Sequence, residues 1–346
     1  VVTGPVRIGV VGAGRLVERG YLPAFAAVPA ARLVAVADPD EERRRFLAAH
    51  AAATLGHPVA AHEGADALLA AGGLDAVMIA SPVGAHVADA RAAAAAGIPA
   101  LVEKPPAPDA AGAAELATLT PSPWIGFNRR FDPGARAVRA AVAATPTPDD
   151  PVDLRVRVQY RRPAWGARTV RDEALLDLGP HLVDWARWIS GREVTAVACR
   201  TLTPERAVVD LTLDGGHARL EAATDRAHEE LVELRGADGR RRARHRIGGL
   251  MAGARARLAG GGRPDSLVVS LTGELAALVA ACRGEATDLG TVADGVAVMA
   301  VLDAARASHR AGGEPVPPTP PPPSSSTPAP SPAAPSDPSP PPEVPR

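Results

Sequence analysis

The sequence predicts an α/β fold in two parts: an N-terminal Rossmann-type parallel sheet, then a C-terminal α+β domain with a mostly antiparallel open sheet. As far as about residue 142, short apolar runs alternate with longer alanine-rich stretches, a rhythm typical of βαβ units. Beyond residue 150, apolar and polar residues alternate, as in strands that bury one face. We therefore expect a dinucleotide-binding domain over 1–128 and a substrate or oligomerisation domain over 129–313, whose final helix can pack back on the first domain.

The N-terminal strands are predicted where short apolar runs end at turn or helix signals. They span Val6 to Val11, Arg32 to Asp38, Asp75 to Ser81, Ala100 to Glu103 and Trp124 to Phe127. The helices that follow them should begin near Asp40, Val83, Asp109 and Pro133. Because crossovers between parallel strands are right-handed, these units would wind into one sheet covered on both faces.

The C-terminal strands are predicted from one-by-one alternation and from glycine turns at 214–216 and 237–239, which favour antiparallel neighbours. They span Asp153 to Tyr160, Thr195 to Leu202, Ala207 to Leu213, His217 to Ala222 and Leu231 to Arg235. Helical segments should span Pro180 to Ile189, Ser266 to Cys282 and Thr291 to His309.

The segment 314–346 differs in composition from the rest of the chain. It holds sixteen of the 36 prolines, mixed with Ser, Ala and Thr. Proline removes backbone donors and few apolar side chains are available for burial, so we expect a disordered, polyproline-rich tail. A docking ligand for a proline-reading module is the alternative.

Composition excludes several classes of function. A formal net charge of -1 gives no general attraction to nucleic acid or acidic membranes. The two cysteines, Cys199 and Cys282, lie far apart in apolar patterns, which favours reduced core thiols over a disulfide or a metal site. Without a signal peptide or an apolar span, the chain is expected to be cytoplasmic and to bind neither nucleic acid nor metal.

A basic strand follows the turn at residue 239. The chain is only 3% aromatic, whereas a nucleic-acid surface would interleave aromatic residues with the charge. We interpret the strand as a solvated hairpin edge, and a phosphate site for a nucleotide sugar is the alternative. Its arginines are Arg240, Arg241, Arg242, Arg244 and Arg246.

A glycine-rich turn follows the first strand and opens a helix, the position that a dinucleotide fingerprint requires. Gly12 and Gly14 would let a pyrophosphate approach backbone N–H groups at the positive helix end. Asp38 ends the second strand, where its carboxylate can accept from the adenosine ribose. We expect NAD, with NADP possible because Arg43 to Arg45 lie nearby; Val17, at the motif's last position, should hold the helix farther from the strand.

Lys104 is the only lysine among 38 Lys+Arg residues, and it follows an apolar strand. Arginine replaces lysine where only charge is needed, so the exception points to chemistry that needs a compact amine. Chance survival at an exposed strand end is the alternative. Asn128, the only asparagine, similarly lies just beyond a predicted strand.

Asp177 and His181 are four residues apart at a predicted helix start. Pro180 fits a first helical turn, which would place Asp177 at or just before the N-cap. The pair can share a helix face, and an aspartate that orients a histidine and raises its basicity forms a simple general base. A structural cap and a half-buried histidine are the alternative.

Over residues 6–312 these features resemble one family, the glucose-fructose oxidoreductase and inositol dehydrogenase family (Gfo/Idh/MocA). The segments that carry the resemblance are Val6-Arg-Ile-Gly-Val-Val-Gly-Ala-Gly, Asp75-Ala-Val-Met-Ile-Ala-Ser-Pro with His86, Glu103-Lys-Pro, Gly126-Phe-Asn-Arg-Arg-Phe and Leu176-Asp-Leu-Gly-Pro-His-Leu-Val-Asp.

The resemblance implies an NAD(P)-dependent dehydrogenase or reductase acting on a CH–OH group of a sugar, cyclitol or related polyol. It implies catalytic roles for Lys104, Asp177 and His181: His181 would take the hydroxyl proton, Asp177 would orient it, and Lys104 would stabilise the alkoxide. It also implies a homo-oligomer, a dimer or tetramer. Cofactor contacts are expected from Gly12, Gly14, Arg15, Leu16, Asp38, Ser81, His86, Glu103 and Lys104.

The sequence departs from the family before the Asp177 helix, where Val170-Arg-Asp-Glu-Ala replaces a glycine run after a loop with Trp165. Substrate contacts are expected from Asn128, Arg129 and Trp165. The departure leaves an alternative function open, a non-catalytic Rossmann protein that binds cofactor for structure or sensing.

Overall fold

The computed structural model describes residues 2–144, 151–162, 173–248 and 265–319. The first domain contains one six-stranded parallel sheet in the order β3-β2-β1-β4-β5-β6. Apolar residues of its central strands are buried on both faces, as a parallel sheet covered by helices requires. The strands are β1 (Val6–Val11), β2 (Ala31–Ala37), β3 (Ala60–His62), β4 (Ala76–Ile79), β5 (Ala100–Glu103) and β6 (Trp124–Gly126).

Five α-helices accompany this sheet among the described residues, and a sixth, Pro133–Ala143, follows β6 and packs on the second domain. A π-helical segment, Val17–Tyr21, leads into the first of them. Asp40 caps the second by accepting the N–H groups of Glu42 and Arg43, which fixes the helix start at the predicted position. The helices are α1 (Leu22–Ala27), α2 (Glu41–Leu55), α3 (Ala65–Ala71), α4 (His86–Ala95), α5 (Ala110–Glu115) and α6 (Pro133–Ala143).

The second domain contains a six-stranded sheet in the order β12-β11-β7-β10-β9-β8. The β7–β10 pair is parallel and the other pairs are antiparallel, so the predicted mostly antiparallel sheet is confirmed. The strands are β7 (Val152–Arg161), β8 (Val194–Leu202), β9 (Arg206–Leu213), β10 (Gly216–Ala223), β11 (Asp225–Arg235) and β12 (Arg241–Gly248).

Helix α7 (Ala174–Ser190) begins earlier than predicted, so the placement of Asp177 at the N-cap is wrong. Pro180 lies inside the helix rather than in its first turn. Leu175 and Leu178 are both buried, and this packing of the extra turn offsets the hydrogen bond that Pro180 cannot donate. Asp177 therefore lies within the helix, one turn before His181.

Two C-terminal helices, α8 (Ser266–Cys282) and α9 (Val292–Arg310), join the domains. Helix α8 packs on the first domain at Gly20, where an added Cβ would lie 2.5 Å from Leu271. Helix α9 packs on α5 through Asp303, whose carboxylate accepts the N–H of Ala110 at 2.9 Å. Helix α9 also packs on the second sheet, where the Ser308 hydroxyl accepts the N–H of Cys199 in β8 at 2.9 Å, so this helix fixes the first domain against that sheet.

The expected tail begins later than residue 314. Val316 forms an isolated antiparallel bridge with Val197 of β8, with N–H···O distances of 2.8 and 2.9 Å in the two directions. The backbone of the first tail residues is therefore hydrogen-bonded to the second sheet, although their side chains gave no strand pattern. Residues 320–346 lie outside the described residues.

The arginine-rich strand is an edge strand, as its pattern predicted. Strand β12 ends the sheet order and pairs antiparallel with β11. Its arginines contact acidic residues of the same hairpin: Arg246 lies 2.7 Å from Glu229, and Arg242 lies 3.1 Å from Asp238. These ion pairs favour the hairpin-edge interpretation over a phosphate site.

Candidate active site

The glycine turn after β1 is shaped by two different constraints. Gly12 has a φ of +103°, and an added Cβ would lie 2.4 Å from the carbonyl oxygen of Ala80, so only glycine fits there. Gly14 needs neither an unusual φ nor a close protein contact, because an added Cβ would have no atom within 4 Å. Glycine at this second position leaves open space beside a helix start, and a pyrophosphate fits such a space.

The helix after this turn begins with a π-helical segment at Val17. Val17 is fully buried and begins the π-helical segment, while Arg15 is exposed and Leu16 is half-buried just before it. The close helix packing that the motif's last glycine normally allows occurs instead at Gly20, against α8.

Asp38 lies directly beside the glycine turn. Its Oδ2 accepts the N–H of Ala13 at 2.8 Å, and its Oδ1 accepts the N–H of Asp40 at 2.9 Å. A carboxylate at this edge can also accept a ribose hydroxyl. The nearby arginines contact their own helix turn: Arg43 lies 3.3 Å from Asp40, and Arg45 lies 2.8 Å from Glu41.

The side chain of His86 is buried and fixes the Ser81–His86 segment through hydrogen bonds. His86 is buried, and its ring nitrogens lie 2.9 Å from the Pro105 carbonyl oxygen and 2.8 Å from that of Ser81. Ser81 donates to Asp89 at 2.6 Å. The His86 side chain therefore links this loop to the chain just after Lys104, and its contact with the cofactor stays a prediction.

Lys104 connects the end of β5 to α7 of the second domain. Its Nζ donates to the Asp177 carbonyl oxygen at 3.0 Å and lies 3.7 Å from Asp177 Oδ1. The lysine side chain is 16% exposed, so its ammonium lies mostly out of bulk water. The structure thus brings together two of the predicted catalytic residues.

The carboxylate of Asp177 contacts residues of β7 and the position after it. Its Oδ2 accepts from the Tyr160 hydroxyl at 2.5 Å and lies 3.5 Å from Nη2 of Arg162. Burial, then the charge of Asp177, raises the pKa of Tyr160, so its hydroxyl stays protonated. Sequence reasoning missed Tyr160 and Arg162, although their spacing of two at a strand end would place them on one face.

His181 is 7% exposed, and its Nδ1 has no hydrogen-bond partner in the part of the chain that the structure describes. Burial, then the positive charges of Lys104 and Arg129, holds the pKa of His181 well below its ordinary value. The expectation that Asp177 orients His181 and raises its basicity is therefore wrong in this geometry. His181 is a neutral imidazole at neutral pH, near two cations.

The two predicted substrate residues of the Gly126–Phe131 segment differ. Asn128 is buried and donates to the hydroxyl of Ser270 at 2.9 Å, and its substrate contact stays a prediction. Arg129 pairs with Glu230 and lies over the Trp185 ring, with 5.6 Å between Cζ and the centroid. The charge of Arg129 also lowers the pKa of His181, after burial and Lys104, and its substrate contact stays a prediction. Trp165 lies outside the described residues.

Glu103 points into the protein interior. It is 6% exposed, and its carboxylate accepts from the Tyr21 hydroxyl and from the N–H of Lys104. An added Cβ on Gly126 would lie 3.3 Å from Cδ of Glu103, so the neighbouring strand packs closely on this side chain. The contact of Glu103 with the cofactor stays a prediction.

The described residues contain no group of three or more His, Cys, Asp and Glu side chains that could hold a metal ion. In the same part of the chain, no helix is long and apolar enough to cross a membrane.

The glycine turn follows β1 and Lys104 follows β5 at the carboxyl edge of one parallel sheet, and we call the region between this edge and α7 the cleft. The fold defines a two-domain protein of the dinucleotide-binding Rossmann class. Residues 6–122 match the family model described as "Oxidoreductase family, NAD-binding Rossmann fold", and residues 138–241 match the one described as "GFO/IDH/MocA C-terminal domain". The two matches together span most of the chain, and the chain belongs to the Gfo/Idh/MocA family. The resemblance drawn from the sequence motifs is thereby confirmed.

Two curated relatives and one solved structure illustrate this membership. Rhizopine catabolism protein MocA of Rhizobium meliloti is 33% identical over 55% of this chain and 58% of its own length. Inositol 2-dehydrogenase 1 of Saccharopolyspora erythraea is 34% identical over 60% of this chain and 61% of its own. The chain thus matches about three fifths of these relatives. Apo scyllo-inositol dehydrogenase from Lactobacillus casei shares the fold, with a TM-score of 0.73 and 21% identity over 92% of this chain and 99% of that one.

Proposed function

We propose that the protein is an NAD-dependent dehydrogenase or reductase acting on a CH–OH group of a sugar, cyclitol or related polyol. The observation that carries the proposal is the contact of Lys104 with Asp177 of α7, one turn before the buried His181. A compact cation and a neutral imidazole are the two groups that alcohol oxidation requires besides a hydride acceptor.

NAD, when bound, accepts the hydride from the substrate carbon. Gly12 and Gly14 would hold its pyrophosphate, and Asp38 would accept from its adenosine ribose. The carboxylate of Asp38 would repel a 2′-phosphate, and the arginines of the following helix already contact acidic residues. This arrangement favours NAD over NADP.

His181 would accept the hydroxyl proton, because its lowered pKa keeps it neutral at physiological pH. The cations Lys104 and Arg129 lower the basicity of this imidazole, and they would equally stabilise an alkoxide on the substrate. Proton removal is therefore supported by stabilisation of the developing negative charge. Run in reverse, the same groups would protonate a ketone.

Asp177 acts on Lys104 in this geometry. Its carbonyl oxygen and carboxylate hold the ammonium, while Tyr160 and Arg162 hold the carboxylate. Lys104 is thereby directed toward α7 rather than into solvent. Asp177 is thus a positioning residue in the proposed mechanism.

The substrate class is proposed from the relatives. Several curated relatives are named inositol 2-dehydrogenase, and solved structures with the same fold include scyllo-inositol and myo-inositol dehydrogenases. A cyclitol is therefore the first substrate to test. A homo-oligomer remains a proposal from family membership.

Turnover with a panel of cyclitols and sugars tests the proposal. The purified protein is incubated with NAD or NADP and each substrate, and reduced cofactor is measured, with dissociation constants for both cofactors from calorimetry. We expect reduction of NAD by at least one cyclitol, and weaker binding of NADP. NAD binding without turnover across the panel would instead favour the non-catalytic alternative. One structural observation favours that alternative, because Tyr160 and Arg162 already contact the Asp177 carboxylate.

A further inference from the structure

A chain of three buried side chains connects the cofactor half of the cleft to helix α8. The hydroxyl of Tyr21 lies within hydrogen-bond distance of Glu103 Oε1 and 2.7 Å from Glu274 Oε2. Tyr21 and Glu274 are fully buried, and Glu103 is nearly so. The proposed reaction uses neither Tyr21 nor Glu274, although the chain ends beside Lys104.

The number of protons in this chain is constrained by its geometry. A phenol has one hydrogen, so Tyr21 can donate to only one of the two carboxyl groups that its oxygen contacts. If both carboxyl groups were ionised, the Tyr21 oxygen would repel the carboxylate to which it does not donate, and two negative charges would lie inside the protein. One carboxyl group must therefore carry a proton and donate it to the Tyr21 oxygen.

The surroundings of the two carboxyl groups decide which one is neutral. Burial raises the pKa of Glu103, but the Tyr21 hydroxyl, the Lys104 ammonium and the Lys104 N–H, which lies 3.0 Å from Glu103 Oε2, all oppose this shift. Glu274 Oε1 is buried without a hydrogen-bond partner among the described residues, a cost that is smaller for a neutral acid than for a carboxylate.

Charges around Glu274 agree with this assignment. Burial, then the negative charge of Glu103, raises the pKa of Glu274 well above its ordinary value. Arg130 opposes the shift, but Asp184, which pairs with Arg130, adds to it. The proton therefore resides on Glu274, and Tyr21 donates to Glu103.

We propose that Glu274 is a neutral acid at neutral pH and that the Glu274–Tyr21–Glu103 chain positions Lys104 for the reaction; the second part rests on the proposed function. Glu103 can transmit position because it contacts the Lys104 N–H on one side and Gly126 on the other. Tyr21 lies at the end of the π-helical segment that follows the glycine turn. The chain thus fixes the lysine relative to the proposed cofactor loop.

The charge state is tested without any substrate. Infrared difference spectroscopy of the full chain at neutral pH compares the wild type with Glu274→Gln. We expect the wild type to show the C=O band of a buried protonated carboxyl group, and we expect this band to be missing in the variant. A difference spectrum with only carboxylate bands would overturn the neutral-acid assignment.

The positioning role is tested by kcat and KM with NAD and a cyclitol. Glu274→Gln keeps a donor to the Tyr21 oxygen, so kcat should stay within about twofold of the wild type. Tyr21→Phe removes both hydrogen bonds and should lower kcat by about tenfold to a hundredfold with KM little changed, as expected for a displaced catalytic group. No loss of kcat in a folded Tyr21→Phe would overturn the positioning role, and an equal loss in both variants would contradict the neutral acid.

These outcomes separate the two proposals. A wild-type protein that turns over no cyclitol or sugar contradicts the proposed function, while the infrared band still decides the charge state of Glu274. Circular dichroism checks that Tyr21→Phe is folded. If Tyr21→Phe is not folded, the test rests on Glu274→Gln alone. A loss of kcat in this isosteric variant contradicts a neutral Glu274 and, with it, the proposed chain.

Discussion

The two walls of the cleft differ in the groups that form them, backbone in one and charged side chains in the other. The proposed cofactor wall is mainly backbone: the glycine turn, with the N–H of Ala13 donating to Asp38. The proposed substrate wall is a cluster of side-chain charges around Lys104 and Asp177. Backbone shape is set by residues adjacent in sequence, whereas the charge cluster requires β5, β7 and α7 to meet. A substitution should therefore affect binding at the first wall and turnover at the second.

The largest effect is expected at His181. Replacement of His181 by Asn removes the proton acceptor and should lower the rate of oxidation by about 10²- to 10⁴-fold. Because a lowered pKa keeps His181 neutral, the wild-type rate should persist as pH falls below the ordinary histidine range and decline only at lower pH. Rate profiles of both proteins between acidic and neutral pH check this. A wild-type decline at the ordinary histidine pKa would contradict the assigned environment.

Lys104→Arg should have the next largest effect. The substitution keeps the charge but replaces a compact donor with a planar fork that cannot occupy the same position against the Asp177 carbonyl. We expect turnover to fall by roughly a hundredfold, the scale of losing one preorganised donor. Calorimetry should show an almost unchanged dissociation constant for NAD. Wild-type turnover in this variant would mean that the single lysine is an accident of composition.

Gly12→Ala and Gly14→Ala form a matched pair for the cofactor wall. At Gly12, a positive φ and a clash with Ala80 should lower the free energy of unfolding by about 1–3 kcal/mol. At Gly14, the new methyl group meets no protein atom, so the melting temperature should be unchanged while the dissociation constant for NAD rises about tenfold. Unchanged NAD binding in Gly14→Ala would show that the pyrophosphate does not bind beside Gly14.

The smallest effect concerns the end of the described chain. Ending the chain after Gly313 removes the bridge between Val316 and Val197 and should lower the free energy of unfolding by about 1 kcal/mol. Ending it after residue 319 retains the bridge and serves as the control, which should melt like the full chain. Equal stability of all three proteins would show that the bridge contributes nothing.

The sequence predicted features that depend on neighbouring residues. Gly12, Gly14 and Asp38 form a local motif, and the isolated Lys104 could be recognised by composition alone. The predicted start of α7 was wrong because the burial of Leu175 and Leu178 outweighed the preference of proline for the first turn of a helix. Only tertiary packing decides that burial.

The contacts between distant segments could not be predicted. Tyr160 lies 17 positions before Asp177, and Glu274 lies 253 positions after Tyr21, with no shared pattern to connect them. For the same reason, nothing in the sequence indicated the tertiary hydrogen bonds that hold Asn128 and His86 inside the protein. A motif thus locates a candidate site, and packing decides which of its side chains are buried.

The central claim is that this cleft transfers hydride from a CH–OH carbon to NAD. The most direct measurement follows the label from myo-inositol deuterated on its ring carbons into the cofactor, with mass spectrometry of the nicotinamide after incubation with the full chain. The account predicts reduced cofactor that carries one deuterium from the substrate. Saturation with NAD and no deuterated cofactor, from this or any other labelled polyol of the panel, would contradict it.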